Sequence, residues 1–125
     1  MLNTFLIFLG AGLGGVLRYW VSTSTYFFLD RDFPYGTLVV NVSGCLLMGF
    51  LFVVLFDRFT QLSTELRALL LIGFLGGYTT FSSFSIETLN LFENGQLLSA
   101  SLNIILSCVL CLFAAWVGVF LGRQL

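Results

Sequence analysis

Four long apolar runs, separated by short polar interruptions, organise this chain. The first extends from about Leu2 to Leu29, interrupted only by Arg18, and closes at Asp30, Arg31 and Asp32. Pro34, the only proline, marks the expected entry to a second run, uncharged from Gly36 to Phe56 and stopped by Asp57 and Arg58. A polar loop through Gln61, Ser63, Thr64 and Glu65 leads to a third run, uncharged from Ala68 to Ile86, with Glu87, Glu93, Asn94 and Gly95 at its exit. The fourth runs from about Gln96 to Gly122 and ends at Arg123. A helix that crosses a bilayer needs about 20 apolar residues, so the pattern predicts four spans with both termini on one side. The first run has no basic stretch before it and no small-x-small cleavage site followed by a polar chain, so it is expected to remain as a span. The expected fold is all-α and integral to the membrane, a single four-helix transmembrane domain over residues 1–125.

Composition agrees. Hydrophobic residues make up 58% of the chain and charged ones 9%, with no histidine, whereas a soluble domain carries roughly 25% charged residues. Five arginines, no lysine and six acids imply neither nucleic-acid binding nor a polybasic lipid switch. Membrane lipid is the expected surrounding. Cys45, Cys108 and Cys111 all lie inside apolar runs, which makes them small core residues rather than a disulfide framework. Arg58, Arg67 and Arg123 fall on the side of the termini, and Arg31 and Arg18 on the other. So small a bias allows insertion in both orientations, with two inverted copies paired about a twofold axis in the membrane plane, or else a fixed orientation set by other factors.

Several motifs carry no chemistry in this setting. Gly10, Gly12 and Gly15 match a dinucleotide fingerprint that requires a soluble βαβ unit, and Asn41-Val-Ser43 matches a glycosylation sequon inside a span. Cys108 and Cys111 have C-x-x-C spacing without histidine partners or a thioredoxin context. The pairs Gly10 and Gly14, Gly73 and Gly77, and Gly118 and Gly122 have the spacing that lets helices approach closely in lipid. Without a metal cluster or an acid-base pair in one span, enzymatic chemistry is unsupported.

Polar groups within the spans are more informative, because hydrocarbon leaves them no partner outside the protein. Thr37, Asn41 and Cys45 share one helical face, and Ser99, Asn103, Ser107 and Cys111 recur every four residues in the fourth span. Each residue taken singly reads as interhelical glue, whereas two such tracks in a small bundle read as a lined pathway. The third span carries GGYTTFSSFS at residues 76–85. Gly76 and Gly77 are expected to release the backbone from helical geometry near mid-membrane, freeing carbonyls that need a partner in protein, water or an ion. Beyond them Thr80, Phe84 and Glu87 are expected on one face, with Phe81 beside Phe84. By spacing alone such a phenylalanine pair reads as core or lipid-facing.

The length, the four spans, the glycine-rich first helix running into Arg18-Tyr19, Asn41-Val-Ser43-Gly44 and, most specifically, GGYTTFSSFS followed by Ile86-Glu87 together resemble the Fluc (CrcB) fluoride channels of bacterial membranes. The resemblance covers essentially the whole chain. It implies a dual-topology antiparallel homodimer in the bacterial inner membrane, with two pores that pass fluoride out of the cytoplasm. It implies fluoride-lining roles for Asn41, Thr80, Phe81, Phe84, Ser107 and Asn103, with Arg18 and Glu87 near the pore mouths. It also implies a central structural sodium ion (Na+) held by the carbonyls of Gly76 and Thr79 from both copies. Two other readings stay open: a small dual-topology exporter such as a multidrug antiporter, and a structural membrane subunit without transport.

Overall fold

The computed structural model describes residues 1–57 and 63–125. Arg58 and Gln61, expected in the second loop, lie outside the described residues. Helix α1 spans Leu2–Thr25 and α2 spans Tyr35–Asp57. The third span is composite: α3 (Ser63–Leu66), a π-helical stretch (Arg67–Leu75), α4 (Gly76–Tyr78), two extended residues, then α5 (Phe81–Glu93). Helix α6 spans Leu97–Gln124. By length and composition Leu2–Thr25, Tyr35–Phe56, Thr64–Glu93 and Leu97–Gln124 can each cross a membrane.

Local chemistry sets the helix ends. Helix α1 stops at Thr25, short of Leu29, where the chain turns and the Tyr26 hydroxyl accepts the N–H of Gly36, one of the donors left over in the first turn of α2. Pro34 directly precedes α2, and its carbonyl accepts the N–H of Leu38. At the end of α5, Gly95 has φ +75°, its N–H reaches the Phe92 carbonyl and the Gln96 N–H reaches the Leu91 carbonyl. This is the Schellman arrangement, which favours glycine at the left-handed position.

The bundle consists of two closely packed parallel pairs. Helix α1 lies against the π-helical stretch and α4, and α2 lies against α6. Glycines make both contacts. A Cβ on Gly10 would strike the Leu69 carbonyl, one on Gly14 the Phe74 carbonyl, and one on Gly77 the Ala11 carbonyl. On the other pair, Gly49 faces the Ala115 carbonyl and Gly118 the Leu46 carbonyl. Lipid supplies no hydrophobic drive between helices, so close backbone approach and dispersion hold them together. The distribution of side chains agrees. A small apolar core of Val40, Leu55, Leu71, Leu75 and Tyr78 is buried, while Phe8, Phe113 and Trp116 point outward. Thr37, Thr80, Thr88, Asn103 and Ser107 are polar and buried.

The helical interruption is not at the paired glycines. Gly76 is helical, with φ −63° and ψ −35°, and so is Gly77 within α4. The chain departs from helical geometry two residues later, at Thr79 (ψ 158°) and Thr80 (φ −151°, ψ 119°). The absence of a side chain at Gly77 serves the contact with α1. The backbone leaves the helix where α2 offers it substitute partners.

Candidate functional site

Those partners come from three residues in one turn of α2, Asn41, Ser43 and Gly44. Asn41 accepts the N–H of Thr80 on Oδ1 at 2.8 Å and donates Nδ2 to the Thr80 carbonyl at 2.9 Å. Ser43 shares a hydrogen bond of 2.8 Å with the Tyr78 hydroxyl. Gly44 leaves room for the Thr79 methyl group, which a Cβ there would strike. The Thr80 N–H would otherwise bond back to the Gly76 carbonyl, so the clamp stabilises the interruption by satisfying groups that lipid would leave bare. Thr80 then starts α5 as its N-cap, its Oγ1 accepting the N–H of Ser83 at 3.2 Å. The Thr79 carbonyl, no longer aligned with the helix, lies 3.5 Å from Nη1 of Arg18.

The interruption separates two cavities. The larger, about 450 Å³, is lined by Asn41, Thr79, Thr80, Phe81, Phe84 and Ser107, among others. The Phe81 and Phe84 ring centroids are 5.5 Å apart, with planes tilted by 46°. The smaller, about 290 Å³, is more polar and gathers Arg18, Ser22, Thr37, Thr80, Ser83 and Glu87. There Thr37 donates to Oε1 of Glu87 at 2.8 Å, and Oε2 is buried without a protein partner.

A family model described as "CrcB-like protein, Camphor Resistance (CrcB)" matches residues 5–119. The chain belongs to the CrcB family. Similar proteins carry the name "Fluoride-specific ion channel FluC". One from Coxiella burnetii is 56% identical over 99% of this chain and 100% of its own length. Another from Methylococcus capsulatus is 58% identical over 99% of this chain and 54% of its own length. A third, from Geobacter metallireducens, is 45% identical over the full length of both.

In this CrcB chain the expected site residues are distributed unevenly. Asn41, Phe81, Phe84 and Ser107 meet in the larger cavity, Arg18 and Glu87 meet in the smaller one, and Thr80 forms the wall between them. Thr80, Phe84 and Glu87 do not share one helical face: Thr80 precedes the helix, and the other two face different cavities. The face of α2 is divided likewise, with Thr37 in the smaller cavity and Asn41 and Cys45 in the larger. Asn103 lines neither, being 1% exposed. Its Nδ2 donates to Oγ1 of Thr88 at 2.8 Å, and its Oδ1 accepts from Ser107 at 3.5 Å. It joins α5 to α6 and positions Ser107.

Sequence reasoning missed the roles of Ser43, Gly44 and Tyr78 as supports of the interruption. Their signal was present: a serine and a glycine two and three residues after Asn41 in an otherwise oily span. As to a metal, no cluster of three or more His, Cys, Asp or Glu side chains occurs among the described residues. A cation at this place would depend on backbone oxygens. Gly76 is exposed on the single chain, with only the Leu71 carbonyl, at 3.8 Å, near an added Cβ. The carbonyls of Gly76 and Thr79 have both lost their regular helical donor or alignment, and such hard oxygens suit an alkali cation.

Proposed function

We propose that this chain is a passive, fluoride-selective channel through which fluoride leaves the cytoplasm of a bacterial cell, and that its role is conduction rather than catalysis. The working unit in this proposal is an antiparallel homodimer of oppositely inserted copies in the inner membrane, with two pores. The observation that carries the reading is the convergence of two phenylalanine rings, the Asn41 carboxamide and the Ser107 hydroxyl on one cavity of about 450 Å³. Relatives named as fluoride-specific ion channels give the ion its identity.

The chemistry of the cavity suits a small, strongly hydrated anion. Fluoride requires donors that replace its water, yet a full positive charge in the path would hold it too tightly to pass. Phenylalanine rings carry partial positive charge at their edges, so Phe81 and Phe84 turned edgewise offer weak contacts. Asn41 retains a second N–H on Nδ2 after donating one to Thr80, and Ser107 adds a hydroxyl whose one hydrogen must turn from its long 3.5 Å bond to Asn103 to reach the ion. Arg18 in the neighbouring cavity attracts anions toward the site without standing in the aromatic stretch.

Two features support pairing with a second copy. Phe81 is 79% exposed on the single chain, so its ring needs further protein to complete a pore wall. Gly76, which no contact within the chain requires to be glycine, lies open five residues before it. In the proposed dimer the interruptions of the two copies cross there, and the carbonyls of Gly76 and Thr79 from each would hold a sodium ion. When bound, the ion supplies positive charge and joins the copies.

The test is fluoride release from liposomes holding purified protein, followed with a fluoride electrode. Rapid fluoride loss without chloride loss and without a proton gradient is expected. Cation uptake driven by a gradient would instead identify an exporter of another class, and an inert protein a structural subunit. Tags on one terminus, reported from both faces of the membrane, are expected for dual insertion, and reporting from a single face would exclude it.

A further inference from the structure

The larger cavity holds a second chemistry that the conduction of a hard anion does not use. Cys45, Cys108 and Cys111 all line it. The placement of two of them follows from helix packing. Gly49 of α2 rests against the Ala115 carbonyl of α6, and the helices run parallel. One turn earlier on each helix stand Cys45 and Cys111, four residues before Gly49 and Ala115 respectively. Equal steps along two parallel helices from a point of backbone contact bring the two side chains to the same face of the α2–α6 seam, and both thiols line the one cavity. Cys45 is also one turn from Asn41, and Cys111 one turn from Ser107.

We propose that Cys45 and Cys111 form a binding site for a soft, two-coordinate metal ion of the Cu(I), Ag(I) or Hg(II) class, and that its occupancy blocks conduction. Thiolates select such ions. Zinc prefers four ligands in a tetrahedron, and no group of three or more ligating side chains occurs here among the described residues. A linear ion needs only two. With Hg(II) the step is balanced without redox change: two S–H bonds break, two S–Hg bonds form, and two protons leave. The bound ion sits one helical turn from Asn41 and Ser107. There it narrows the cavity, and any positive charge it retains converts a shallow anion site into a trap. The blocking half of the proposal rests on the channel reading above, whereas the binding half does not.

The experiment uses the full chain carrying Cys108→Ala, which leaves the pair alone, in chloride-free buffer with mercuric acetate. Intact-mass analysis is expected to show a gain of one mercury less two protons per chain, resistant to brief exposure to a monothiol. In the same background, Cys45→Ser and Cys111→Ser are each expected to retain mercury only through one sulfur and lose it to the monothiol. Size-exclusion profiles check that each variant is folded, and Cys45→Ala and Cys111→Ala provide a second pair. Equal retention by the pair and by the single-cysteine variants would overturn the site. In liposomes, mercury is expected to abolish fluoride release from the Cys108→Ala protein and to leave each serine variant near its own metal-free rate once the monothiol is added. Tight binding with undiminished release would overturn the block. A protein that binds mercury yet releases no fluoride even without metal would refute the channel reading and leave the metal site standing.

Discussion

Asn41 holds the backbone of Thr80 on both sides of its Cα, taking its N–H on Oδ1 at 2.8 Å and giving Nδ2 to its carbonyl at 2.9 Å. A side chain on α2 thereby performs the work that the next turn of helix would do. The two extended residues, Thr79 and Thr80, persist in an apolar span because this carboxamide offers an acceptor and a donor that meet the N–H and C=O of one extended residue.

Removing that match should destabilise the protein. Asn41→Leu leaves two buried backbone groups unpaired, each costing about 1–3 kcal/mol. The expected result is a lower thermal midpoint in detergent together with loss of fluoride release. Asn41→Asp retains the acceptor for the Thr80 N–H and should recover part of the stability, but its carboxylate repels an anion and flux should remain low. Full stability in the leucine variant would contradict the clamp.

The phenylalanines should matter through their ring edges. Phe81→Ile and Phe84→Ile preserve bulk without an aromatic quadrupole. Fluoride release from liposomes is expected to slow markedly in both, with size-exclusion behaviour unchanged. Undiminished release in both variants would reject the aromatic role.

Two glycines one half-turn apart should respond in opposite ways. A Cβ at Gly14 would strike the Phe74 carbonyl and lie 2.8 Å from the Tyr78 nitrogen, whereas one at Gly12 meets nothing within 4 Å. Gly14→Ala is expected to lower the yield and thermal midpoint of the purified protein, since backbone on both sides must move. Gly12→Ala should equal the parent or exceed it slightly, because alanine favours the helix by about 1 kcal/mol over glycine. Equal behaviour of the two would mean that α1 and the third span do not pack through Gly14.

Gly76→Val tests the surface offered to a second copy. Gly76 is helical and a Cβ there would meet nothing closer than the Leu71 carbonyl at 3.8 Å, so the substitution should cost the isolated fold little beyond the helix propensity of a β-branched residue. In the proposed dimer the added methyls stand where two backbones cross and a cation is held. Weaker chemical crosslinking of paired copies, and loss of any protection by sodium against thermal unfolding, are the expected outcomes. Parent-like crosslinking and parent-like sodium protection would count against the crossing at Gly76.

Much of the architecture was legible because its causes are local. Each apolar run is long enough to span a bilayer by itself, Pro34 starts α2, and Gly95 ends α5 through a hydrogen-bond pattern confined to a few residues. The glycine pairs were legible for a related reason: in lipid, small residues at a spacing of four have one principal use, and Gly10, Gly14 and Gly77 have it here. Arg18 and Glu87 were recognisable as unusual charges, and Asn41 as an unusual amide.

Other features became fixed only when the helices came together. Local flexibility pointed to Gly76 and Gly77 as the place where the helix yields, yet both are helical, because α1 occupies the space beside Gly77 while Asn41, 39 positions from Thr80, captures that residue's backbone instead. Periodicity put Asn103 and Ser107 on one stripe, but the proximity of Thr88 turned the first inward and left the second facing the cavity. The chain itself determined four membrane-length helices, their caps and their small-residue seams, since those depend on hydropathy and on contacts within a turn or two. Tertiary structure decided where the third span opens and which polar groups and thiols share a cavity, because a buried hydrogen-bonding group takes whatever partner the neighbouring helix presents.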